Sequence, residues 1–88
     1  MPEISEFFGI RITLNYSEHN PPHIHAAYGE YRALIDIQQQ CVIEGFLPGK
    51  KLRLLLAWCV MHEDELMENW ELARQGQKLR RIEPLVKG

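Results

Sequence analysis

The sequence predicts an α+β fold in a single domain, an antiparallel β-meander of three to four strands packed against one long C-terminal helix. Three observations predict it. Residues 10–16 alternate apolar and polar side chains, residues 23–37 read as a hairpin around Gly29-Glu30, and residues 48–75 repeat apolar positions at helical spacing. The meander is expected over about 9–46, the helix over about 48–75 and an extension over 77–88.

In residues 10–16, Ile10, Ile12, Leu14 and Tyr16 share one face and Arg11, Thr13 and Asn15 the other, the pattern of a half-buried strand. Ser17 to Pro22 then form a turn, because the paired prolines lack ladder donors. Gly29-Glu30 suits a two-residue type II′ loop with glycine first. That loop pairs Tyr28 with Tyr31, Ala26 with Ala33 and Ile24 with Ile35, all apolar, and places Ala27 beside Arg32, His25 beside Leu34 and His23 beside Asp36. Residues 41–45 suggest a further strand; a loop at Gln38-Gln39-Gln40 would pair Ile35 with Ile43 and Ile37 with Cys41.

Pro48 suits the first turn of the helix and Gly76 its stop. Leu52, Leu55, Leu56, Cys59, Leu66, Trp70 and Ala73 form the stripe expected to cover the sheet. A second row, Leu54, Trp58 and Met61, is either sealed by Phe46, Leu79, Ile82 or Leu85, or exposed as a partner interface. Glu63, Asp64, Glu65 and Glu68 read as a solvated face, with a break near His62 left open. Trp58 and Trp70 belong with the core, and Tyr28 and Tyr31 with its edge.

Composition narrows the function classes. Eighty-eight residues suffice for one domain, and a net charge of −2 lacks the basic excess of a standing nucleic-acid binder. Charge is uneven: residues 62–71 are acidic, and Arg74, Lys78, Arg80, Arg81 and Lys87 make the far end basic. The acidic start has no positively charged n-region and no stretch is long enough to span a bilayer, so a cytoplasmic location without a membrane partner is expected. Cys41 and Cys59, without CxxC spacing, are expected to be reduced and buried. No Walker loop, Rossmann glycine pattern, GxSxG or HExxH is present.

The most pointed chemistry lies in His19-Asn20-Pro21-Pro22-His23-Ile24-His25. His23 and His25 are two apart on a strand and project from one face, opposite the apolar one. Asp36 lies opposite His23, His19 at the mouth of the turn, and Arg11 and Arg32 share their parity. Three readings stay open. The histidines are a structural surface set; or they perform acid–base chemistry, with an arginine holding a phosphate and no cofactor; or His19, His23 and His25 bind Zn²⁺ or a similar divalent ion.

Phe8-Gly9-Ile10, HNPPHIHAAYGEYRALIDI at 19–37, IEGFLP at 43–48, and Glu68-Asn69-Trp70-Glu71 followed by Ile82-Glu83-Pro84-Leu85 resemble the small bacterial domain-of-unknown-function 4160 family over nearly the whole chain. Residues 38–40 depart from that family, with Gln-Gln-Gln where a Gly-containing turn is usual. The resemblance implies one half of a two-gene toxin–antitoxin module, beside a small cognate protein of the domain-of-unknown-function 2442 family. On that reading the chain is the toxin-like component, acting on RNA as an enzyme or a binder. His23 and His25 are then the acid–base pair, Asp36 the orienting carboxylate, and Arg11, Arg32 and His19 the substrate contacts. The alternatives are a non-enzymatic protein-binding module docking through Leu54, Trp58 and Met61, with a homodimer also compatible, and a divalent-metal-binding protein.

Overall fold

Five antiparallel strands follow one another across a single sheet in chain order: β1 (Glu3–Phe7), β2 (Ile10–Thr13), β3 (His23–Tyr28), β4 (Tyr31–Asp36) and β5 (Cys41–Gly45). Two helices complete the fold, α1 (Gly49–Met61) and α2 (Glu63–Arg74). This computed structural model describes residues 2–16 and 18–85, so Ser17 of the expected turn and Lys87 of the basic end lie outside the described residues.

The central hairpin has the predicted register, from Tyr28 opposite Tyr31 to His23 opposite Asp36, with Gly29 at φ +57° at the first loop position. β1 was not anticipated. Its hairpin with β2 turns through Phe8 and Gly9, both at positive φ (+51° and +77°), the backbone of a type I′ loop. A bulge between Glu3 and Ser5 breaks the period-two pattern, so Ile4 and Ser5 are both buried and no alternation marks the strand. β2 ends at Thr13 rather than residue 16; Leu14 stays buried and donates to Pro2 O at 3.1 Å, while Tyr16 turns outward.

The β4–β5 pairing differs from expectation. Ile35 opposes Val42 and Asp36 opposes Cys41, not Ile35 with Ile43 and Ile37 with Cys41. With no glycine at 38–40, the turn takes four residues and is held by Asp36, whose Oδ1 accepts the Gln38 and Gln39 amides at 2.9 and 2.8 Å. A bulge between Leu34 and Ile35 then leaves Ile43 exposed, and Cys41 is exposed rather than buried.

The expected single helix is two, parted at His62 (φ −121°, ψ 25°). Glu63, Asp64 and Glu65 fill the first turn of α2, where the helix dipole favours acids, so this charge run favours a fresh helix start. Gly76 at φ +71° ends α2, with Gln77 N donating to Leu72 O and Gly76 N to Ala73 O, a Schellman stop.

One sheet face carries Ile10, Ile12, Leu14, Ile24, Ala26, Ile35 and Ile37 into a core completed by Leu55, Trp58, Cys59, Leu66 and Trp70. Of the second helical row, Trp58 is fully buried, Leu54 half-buried and Met61 exposed. Trp58 is sealed from the 79–85 side, where its Nε1 donates to Glu83 O at 2.8 Å and Ile82 is buried. Phe46 stays exposed against Tyr31 instead. The Leu54–Trp58–Met61 row is therefore not a continuous docking face. Ile82 N also donates to Ile4 O at 2.8 Å, covering the β1 edge. No helix of the described residues is long and apolar enough to cross a membrane.

Candidate functional site

The sheet face opposite the core forms an open cleft of about 670 Å³, lined by Glu3, Arg11, Thr13, His25, Arg32 and Glu44 among others. At the end where β3 begins, the 18–22 turn folds back over the two histidines. The Asn20–Pro21 peptide is cis, and Pro21 O accepts a 2.8 Å hydrogen bond from His23 Nδ1. A carbonyl can only accept, so Nδ1 donates to it and Nε2 is the ring nitrogen turned toward the rest of the cluster.

That nitrogen faces Glu18, whose Oε1 lies 3.5 Å from His23 Nε2 and 2.6 Å from His25 Nε2. Asn15 Nδ2 completes the cluster, 3.1 Å from Glu18 Oε1 and 3.3 Å from His25 Nε2. The two imidazole rings are 5.4 Å apart, and Trp70 of α2 lies 5.4 Å from His23 on another side. The face expected to be uncovered is thus closed at this end: His23 is 8% exposed, while His25 looks into the cleft. The hydrogen bond from His25 holds the Glu18 carboxyl below its ordinary 4.5; burial opposes this and Asn15 reinforces it. A carboxylate oxygen and two imidazole nitrogens, all within 4.8 Å of one another, could hold a metal ion.

The expected site residues fare unequally. His23 and His25 come together as their parity required. Asp36 opposes His23 in register, but its Oδ1 is engaged by the turn amides and it makes no hydrogen bond to His23. The carboxylate that serves the histidines is Glu18, which strand parity could not find because it sits on the turn; its only signal was its place one residue before His19. His19 is exposed and forms no hydrogen bond or ion pair among the described residues, so it is not part of the cluster. Arg11 and Arg32 both line the cleft: Arg11 Nε pairs with Glu3 at 3.2 Å, and Arg32 NH1 donates to Gly29 O and Tyr31 O at 2.8 Å each.

The family model described as Domain of unknown function (DUF4160) matches residues 9–71, which contain the whole turn, the histidine pair and both helices up to Glu71. The chain belongs to this family. No curated protein and no solved structure matches it. The matched span of this DUF4160 member begins after β1 and ends before the 77–85 segment that covers β1, so the match includes Glu18, His23 and His25 but neither β1 nor its cover.

Proposed function

We propose that the protein works through a mononuclear divalent-metal centre held by Glu18, His23 and His25, and that it is the toxin-like component of a two-gene module, with RNA as its substrate class and a small cognate protein as its partner. The observation that supports the metal reading is the convergence of three ligand atoms within 4.8 Å, one of them aimed by the Pro21 carbonyl. Metal-bound histidines characteristically donate their other ring nitrogen to such a carbonyl. Two imidazoles and one carboxylate are the ligand set of open mononuclear centres, which keep positions for water and substrate. An ion there supplies a Lewis acid and a water acidified toward neutral pH.

Arg11 suits the phosphate contact because an ion pair this exposed is worth at most about 1 kcal/mol, so Glu3 is readily exchanged for a substrate anion. The role in a two-gene module is supported by the family resemblance. Native mass spectrometry after Zn²⁺ addition is expected to find one ion per chain, lost in His23→Ala, His25→Ala and Glu18→Gln. A protein that takes up no ion, and whose thermal midpoint is indifferent to chelator, sinks the metal reading. Growth arrest on expression, relieved by the cognate protein, tests the module role.

The 2.6 Å His25–Glu18 contact favours a second reading, metal-free acid–base cleavage by a histidine–carboxylate pair. RNA cleavage that survives chelator but not His25→Ala selects it.

A further inference from the structure

The loop end of the sheet carries aromatic rings that stay outside the core. Phe8 and Tyr31 are exposed, and Phe46 is 60% exposed. Tyr31 lies nearly parallel to Tyr28, with ring centroids 6.4 Å apart, and 5.6 Å from Phe46. Lys51 joins Phe8 to this row. Its Nζ stands 5.6 Å from the Phe8 ring and 4.9 Å from the Tyr28 ring, and donates to Phe8 O at 3.1 Å. One continuous row of rings thus runs from the β1–β2 loop to the end of β5.

Cations surround that row without acids to match. Among the described residues, Arg11, Arg74, Arg80 and Arg81 each pair with an acid. Arg32, Lys50, Lys51 and Arg53 pair with none; Lys78, beyond α2, is the other described base without an acid. Lys50, Lys51 and Arg53 open α1, whose first turn holds no acid and whose Pro48 cap makes no side-chain hydrogen bond. The helix dipole disfavours cations there, and α2 follows the opposite rule with Glu63, Asp64 and Glu65. A chain with 12 acidic and 10 basic residues has acids enough to neutralise this turn. Its overall charge of −2 therefore hides a cationic end whose arrangement folding does not require.

Unpaired cations beside open ring faces suit an unpaired nucleic-acid strand, whose phosphates take the charges and whose bases stack on the rings. A duplex keeps its base faces inside its own stack and can use only the cations. We propose that this aromatic row is a docking platform for single-stranded RNA, separate from the metal centre. Arg32 connects the two regions: its NH1 donates to Tyr31 O at 2.8 Å, and its side chain lines the cleft into which His25 looks. The inference rests on the RNA reading above and narrows it to unpaired strands.

Fluorescence anisotropy with a labelled, unstructured RNA tests it, in chelator so that no metal-dependent step intervenes. The single strand is expected to bind roughly 10-fold more tightly than the same sequence annealed to its complement. Phe46→Leu keeps apolar bulk on an exposed position but removes the ring, and should weaken binding roughly 10-fold, whereas Phe46→Trp should hold or tighten it. Lys50→Gln with Arg53→Gln should reduce the slope of log affinity against log salt by about 1.4, at roughly 0.7 per lost phosphate contact. Met61→Ser, on a 64% exposed position at the other end of α1, should leave affinity unchanged. Wild-type affinity in Phe46→Leu, equal binding of strand and duplex, or RNA binding that appears only with added Zn²⁺ overturns the inference alone. So does a Phe46→Leu protein that loses its cognate protein but keeps RNA, which makes the row a protein-docking surface. A wild-type protein that binds neither strand nor duplex, with chelator or with Zn²⁺, overturns the RNA reading itself.

Discussion

Two carboxylates lie near the histidine pair, and their hydrogen bonds separate their roles. Asp36 accepts two backbone amides of its own turn, whereas Glu18 reaches both imidazoles. Asp36→Asn keeps an acceptor oxygen, so it should leave Zn²⁺ affinity unchanged; Asp36→Ala removes the charged acceptor of two turn amides and should cost about 1–3 kcal/mol in urea unfolding. Glu18 adds a pH dependence. Its carboxyl is held below 4.5 in the folded protein, first by the His25 hydrogen bond, so the ionised form is favoured on folding. Its contribution is complete above the unfolded value and is lost as pH falls through the lower folded one. The urea midpoint should therefore drop between neutral pH and roughly pH 3, with a shallower fall in Glu18→Gln. His19→Ala, on an exposed side chain outside the cluster, should change stability by no more than about 0.5 kcal/mol.

At the scale of elements, two glycines show how differently turns are built. Gly29 sits at φ +57° with open space where a Cβ would go, so Gly29→Ala meets only the backbone penalty, about 1–2 kcal/mol. Gly45 ends β5 at φ +89°, and a Cβ there would lie 2.2 Å from Arg32 O and 2.9 Å from Ala33 Cα. Gly45→Ala must push β5 off β4 and should cost about 2–4 kcal/mol, measured as a loss of unfolding free energy with the m-value retained. The hairpin register was legible because both faces sort consistently only one way. The β4–β5 register was not, because parity cannot see a bulge: one extra residue exchanges Ile43 for Val42 on the core face. The break at His62 had a visible cause in the acidic triplet, but one periodic stripe runs through both helices and concealed the break.

At the scale of the whole molecule, the segment 79–85 closes the described fold. Residues 79–85 lie over Trp58 and β1, and Ile82 is 4% exposed, so Ile82→Ala should cost about 2–4 kcal/mol and loosen both at once. The cysteines report the same closure: burial pushes the Cys59 thiol up to about 12, while Cys41 is exposed. Iodoacetamide should label Cys41 in the folded protein and Cys59 only on unfolding; equal labelling of both under native conditions contradicts the packing. By itself the sequence determined the α+β class, the central hairpin, the helix stop at Gly76, and the pairing of His23 with His25, because each is written in local period or local turn chemistry. Only the tertiary structure decided that Glu18 rather than Asp36 or His19 meets the histidines, that Trp58 is sealed by residues 82–83, and that α2 covers His23. Those outcomes depend on where a turn folds back and which surface the 79–85 segment finds to bury, and neither is set by spacing along one element.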